Sequence, residues 1–166
     1  MSVIPLGTIK TEIKSLLDTA NTTTASPLDL SNGMTDRVIE VGTINLTRIP
    51  LQPSFYPAVT IYYDNKVPEE ATIARDQLTA KRKAKLQMQI AGIVFLSTVT
   101  DDLVDDADNE IERLMENIEE VLRQDPGLGG NTKWTGVDRV EYHNVNVSED
   151  SMMRIGIMDF FAIVFY

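Results

Sequence analysis

The sequence predicts an α+β fold: a mixed or antiparallel sheet of four to five strands, with a long acidic helix and a short N-terminal helix packed mainly on one face. Three observations carry that prediction. Apolar residues recur at helical spacing in two segments, they alternate at strand spacing in others, and the order along the chain is helix, two or three strands, long helix, two strands. With 166 residues, 43% of them apolar and 24% charged, residues 1–166 are expected to form a single domain. A chain of this size buries roughly two thirds of its unfolded surface.

The first helix is expected over residues 4–20, where Ile4, Ile9, Ile13, Leu16 and Leu17 fall on one side and Lys10, Glu12, Lys14 and Asp18 lie between them. Residues 21–36, with threonines, serines, Pro27 and Asn32-Gly33, read as a loop or assembly arm. Two strands are predicted at 37–48 and 58–63, separated by Pro50, Pro53 and Pro57, which keep the spacer out of a sheet interior. Residues 64–83 are charged and read as a second loop or arm.

The clearest strand is 85–96. Leu86, Met88, Ile90, Val94 and Leu96 share one face, and Lys85, Gln87 and Gln89 the other. The long helix covers 101–125, where Val104, Ala107, Ile111, Leu114, Ile118 and Val121 recur every three or four residues. Thr100 or Asp101 can cap its start, and Pro126-Gly127 supply the stop. Two closing strands are expected at 136–147 and 152–166, with a slip of apolar parity near His143 and Asn144 that suggests a bulge. Ile155, Ile157, Phe161, Ile163 and Phe165 share one face of the last strand.

Charge is concentrated. The net value is −10, yet residues 101–125 hold eleven acidic groups against Arg113 and Arg123, a local sum of −9. The rest of the chain is close to neutral. A solvated helix face is the plain reading of such a run; the sharper one is a surface that must not adhere to a polyanion.

Most chemistry is excluded by residue type. Cysteine is absent, which removes disulfides, thiol catalysis and cysteine-ligated metals. His143 is the only histidine and reads as an exposed or hydrogen-bonded strand residue. The string Gly127-Leu128-Gly129-Gly130-Asn131-Thr132-Lys133 lacks the Gly-Lys-Ser/Thr ending of a phosphate loop and follows a helix. No Gly-x-Ser-x-Gly elbow occurs. Enzyme activity, cofactors and metals are therefore not expected. No apolar run reaches the roughly 18 residues of a membrane span, and the N-terminus does not read as a secretory signal, so a cytoplasmic site of synthesis is expected. The basic run Lys81, Arg82, Lys83 and Lys85 lacks interleaved aromatics. It fits a gatekeeper at the start of an apolar strand, or an interchain salt bridge, better than phosphate contacts.

Several strings then act together. A short N-terminal helix, Phe55-Tyr56-Pro57-Ala58-Val59-Thr60-Ile61, an alternating strand ending near Leu96, a long helix closing on Gln124-Asp125-Pro126-Gly127-Leu128-Gly129-Gly130, and a terminal strand ending in aromatics follow one another. This layout resembles the tail terminator (tail completion) proteins of tailed bacteriophages across nearly the whole chain. The resemblance implies a virion protein of the tail and neck, assembled in the host cytoplasm. It implies a homo-oligomeric ring, typically of six subunits, that caps the tail tube and joins it to the neck or connector protein.

The resemblance brings no catalytic residues. Genomic DNA would pass the ring without specific binding, so Asp101, Asp102, Asp105, Asp106 and Asp108 are the expected channel-facing group, and Lys81, Arg82, Lys83 and Lys85 the expected assembly contacts. Free strand edges or arms at 21–36 and 64–83 would make head-to-tail contacts. Two alternatives stay open: another head-tail joining or baseplate subunit, and a soluble module that binds a basic partner through the acidic helix.

Overall fold

The structure, a computed structural model, describes residues 6–22, 38–40, 56–69, 83–96 and 100–165. Its elements are α1 (Leu6–Thr22), β1 (Val38–Glu40), β2 (Ala58–Glu69), β3 (Lys83–Leu96), α2 (Asp101–Gln124), β4 (Trp134–Asn146) and β5 (Met152–Phe165). The strands form one sheet in the order β1-β2-β3-β5-β4. Four of them are antiparallel neighbours, and β1 adds in parallel along Val59–Ile61. The α+β class, with a mixed five-stranded sheet, is the one the sequence predicts.

Both helices cover the same face. Residues directly opposite one another in a ladder project to one side, so the pairings Ile61–Ile90, Ile90–Met158 and Met88–Phe160 define a helix-facing rank. That rank joins Ile9, Ile13 and Leu17 of α1 and Ala107, Ile111, Leu114, Met115, Ile118, Val121 and Leu122 of α2 in one core. The predicted α2 stripe is buried except at Val104, which is half-buried. Met115 and Leu122 widen it. Full burial of such side chains is worth about 1.5–3 kcal/mol each relative to exposure. A sheet alone could not hide this rank from water, and α2 runs its length to do so.

Gly92 and Gly156 pair across β3 and β5 directly beneath α2. A methyl group on Gly156 would come within 2.5 Å of Met115 Cγ, and one on Gly92 within 2.8 Å of Met115 Sδ. The two glycines thus cut a notch in the sheet that Met115 fills. The opposite face carries a second apolar cluster around Tyr56, Ala58, Ala91, Ile93, Met153 and Ile155, with the Tyr56 and Phe95 rings stacked at 5.6 Å.

Four sequence expectations change. Residues 64–69, expected in a loop or arm, continue β2, and Asn65–Glu69 pair with Gln87–Lys83. Pro68 is tolerated there because β1 pairs only with Val59–Ile61, leaving no described ladder that needs its missing N–H. The β4 bulge lies between Val137 and Arg139, not at His143 and Asn144. The apolar parity near Tyr142 and Val145 slips because both sheet faces are apolar at that end: Tyr142 opposes Gly156 on the helix side, and Val145 opposes Met153 on the other. Residues 21 and 22, expected in the loop or arm, extend α1. Thr100 is the α2 N-cap and accepts the Val104 N–H at 3.0 Å through its carbonyl, but its hydroxyl makes no capping bond. The expected segments 23–36, 41–48 and 70–82 lie outside the described residues.

The turn after α2 explains the glycine-rich string. Leu128, Gly129 and Gly130 take φ values of 43°, 64° and 86° in succession. The Asp125 carboxylate accepts the Gly129 N–H at 2.9 Å, and the Pro126 carbonyl accepts the hydroxyls of Thr132 and Thr135 at 3.0 and 3.1 Å. Leu128 is fully buried and pins the turn to the core. The loop is a fixed turn between α2 and β4, with most of its amides bonded within it.

Candidate functional site

β4 ends the sheet, and no strand among the described residues pairs with its outer edge. Thirteen residues of extended backbone therefore present alternate N–H and C=O groups outward, a template for another strand. Downstream of the bulge the register to β5 is unbroken from Arg139 to Asn146.

α2 packs over β3 and β5 and overlooks β4 from the same sheet face, running in the opposite direction to it. Asp108 and Glu112 share a recess with Tyr142, His143 and Asn144. Glu119 and Arg123 line an apolar cleft of about 330 Å³ with Leu122, Pro126, Trp134, Val137 and Phe160. Asp108, Glu112, Glu116 and Glu119 are spaced four, four and three residues apart, which is one helix stripe. Asp108 is held by Arg154, and Glu119 and Glu120 by Arg123. Glu112 and Glu116 are exposed and make no ion pair among the described residues.

Their field is legible at Tyr142. Its phenol is raised above the usual value of 10, first by partial burial and then by Glu112, Glu116 and Glu119. Tyr142 is 47% exposed and Trp134 is 58% exposed. The α2–β4 corner is thus an acidic groove along a strand edge that no described strand pairs with, and Tyr142 stands beside its carboxylates.

The helix-free face carries a polar line across four strands. Tyr62 donates to Gln89, Gln89 Nε2 donates to Asp159 at 2.6 Å, and Arg139 bonds Asp159 at 2.9 Å and Glu141 at 2.9 Å. His143 Nε2 ends the line 3.7 Å from Glu141. Among the described residues no three metal-ligating side chains converge. No described helix is long and apolar enough to cross a membrane.

The sequence-predicted residues fall as follows. Asp101 and Asp102 open α2. Asp105 and Asp106 are exposed on its first turns, whereas Asp108 turns toward β5 and Arg154. Lys81 and Arg82 lie outside the described residues, and Lys83 begins β3 between Glu69 and Phe165. Lys85 projects from the helix-free face, its Nζ 3.1 Å from Asp138 and 4.4 Å from the Phe161 ring centre. Within one chain its charge is therefore already engaged. Sequence reasoning did not single out Arg154, Tyr142 or Trp134. An arginine within an otherwise apolar strand was the available signal for the first.

Compared with known proteins, the sequence matches no family model and no curated protein.

Proposed function

We propose that this chain is a structural virion protein, a phage tail terminator that assembles as a ring of copies, caps the tail tube and joins it to the neck. The observation that carries the reading is the outer edge of β4, unpaired among the described residues, with the acidic stripe of α2 overlooking that strand. A ring of identical subunits needs a head-to-tail contact that closes, and an unpaired strand edge that accepts a neighbour's extended segment makes one. The acidic helix suits the second requirement, passage of DNA without retention, because carboxylates repel phosphates where lysines would trap them. In this reading Asp105 and Asp106, exposed near the start of α2 beside Asp101 and Asp102, face the channel or its approach. Asp108 is occupied by Arg154 and contributes less.

The test is native mass spectrometry of the full chain, followed by electron microscopy with tail-tube protein. A closed ring that caps tubes at their ends is the expected result. A chain that stays monomeric at every concentration and ignores tube and connector proteins overturns the reading. A monomer whose binding to a basic protein fades with salt assigns it instead to the class of soluble binding modules.

A further inference from the structure

We propose that Leu103, exposed at the start of α2, inserts into the apolar cleft at the other end of α2 in a second copy of this chain. This rests on the reading of the chain as a ring subunit and names a side-chain contact that gives the ring its direction.

The two halves of the contact are present on every copy. Leu103 stands four residues before Ala107, on the stripe that α2 buries against the sheet, yet it is 41% exposed while Ala107 is buried. The core stripe thus overruns its cover and leaves an aliphatic knob. At the far end of the helix, Leu122, Pro126, Val137 and Phe160 line the cleft of about 330 Å³, more room than a leucine side chain needs, and Trp134, the most exposed large apolar residue among those described, is part of its wall. An apolar anchor seated in such a pocket, with a polar rim around it, is the usual centre of a protein contact.

Charge selects the occupant and its direction. Residues 101–112 hold seven acidic groups and no basic one, whereas residues 113–133 hold Arg113, Arg123 and Lys133 against Glu116, Glu119, Glu120 and Asp125. Two starting ends of α2 brought together about a twofold axis would repel within a Debye length of about 8–10 Å. The cleft end offers the acidic flank of Leu103 a surface with little net charge: Arg123 offsets Glu119 and Glu120 at the rim, and Lys133 is exposed with no ion pair among the described residues. Two cleft ends brought together would bury Trp134, but they would leave Leu103 bare and close at a dimer. Joining unlike ends is the arrangement that continues from copy to copy and closes as a ring. Leu103 and Leu122 are about 29 Å apart along the helix at 1.5 Å per residue, so one copy can use both patches at once.

The experiment uses native mass spectrometry of three full-length proteins, wild type, Leu103→Glu and Trp134→Glu, and of the two variants mixed. Thr100 is the N-cap of α2, so position 103 is the third of the helix, where glutamate suits both the cap and the dipole. Trp134 is mostly exposed. Circular dichroism checks both folds, and Leu103→Gln and Trp134→Gln replace any variant that fails. Each substitution is expected to weaken self-association about tenfold or more, leaving monomers at concentrations where the wild type forms rings. The mixture is expected to give dimers with one copy of each and nothing larger, because one variant keeps only its cleft and the other only its knob. Either variant assembling like the wild type, or a mixture that stays monomeric, overturns the contact and leaves the ring reading standing. Open chains of wild-type protein that Leu103→Glu disperses keep the contact and discard the ring. A wild type that stays monomeric at every concentration discards both.

Discussion

Arg154 of β5 reaches across to Asp108 of α2, with Nη2 donating to Oδ2 at 2.9 Å and Nε 2.7 Å from Oδ1. The Nε contact is an ion pair off the line of its N–H, so that buried nitrogen has no hydrogen bond of its own. Arg154 is 7% exposed, on the helix-covered side of the sheet. An arginine there is tolerable only while a carboxylate faces it.

Asp108→Ala is accordingly expected to lower stability by about 1–3 kcal/mol, less than for a fully buried pair because the Asp108 side chain is 48% exposed. Arg154→Met, which removes the charge and keeps the volume, should cost under about 1.5 kcal/mol. Urea unfolding of both variants checks the ordering. A harmless Asp108→Ala would mean that water, not the carboxylate, satisfies Arg154.

The glycine notch makes a second prediction. Gly156→Ala forces its methyl group against Met115 Cγ, near the base of that side chain, whereas Gly92→Ala meets chiefly the mobile sulfur and Leu114. Gly156→Ala should therefore cost about 1–3 kcal/mol and Gly92→Ala less. Adding Met115→Ala should cancel part of the Gly156→Ala penalty, a coupling that a double-mutant cycle measures.

Leu128→Ala removes the buried anchor of the turn between α2 and β4. The expected loss is about 2–5 kcal/mol, as for other large-to-small core changes. Exchange of the Gly129, Gly130 and Thr132 amides should accelerate with it, since their acceptors lie in the same turn.

Alkaline pH should weaken the fold. Burial pushes the Tyr56 phenol up to about 12, whereas an unfolded chain releases that proton near pH 10. Stability from this group is intact below about pH 10 and is lost as pH rises toward 12, because there the unfolded state has given up a proton that the native state still holds. Tyr56→Phe should flatten that decline in thermal melts. Glu116→Gln should separately lower the Tyr142 phenol toward its ordinary value, read by absorbance titration.

Elements with one clear period were legible in the sequence. The α2 stripe and the alternation of β3 through Ile90 place their core residues correctly, because over those residues each sets an apolar face against a polar one; from Ala91 to Ile93 β3 is buried on both sides. β5 was harder. Its apolar set Ile155, Ile157, Phe161 and Ile163 does share a face, but that face looks away from the helices, and Met158, Phe160, Ala162 and Val164 form the core rank. A strand apolar on both sides carries no label saying which side the helices will cover. The end of β2 was lost for a related reason, since its charged residues read as loop until β3 supplied a partner. At the candidate site, the acidity of α2 was plain, but that its stripe overlooks the outermost described strand follows from the strand order, which is a matter of long-range pairing.

The notch beneath α2 has one more consequence. Met115 is 1% exposed, and its thioether is lodged over two residues that have no side chains of their own. Peroxide can convert such a sulfur to the bulkier, polar sulfoxide only after the helix has lifted from the sheet. The speed of that chemistry thus counts how often the two layers part, a clock for breathing that the protein carries without any added label.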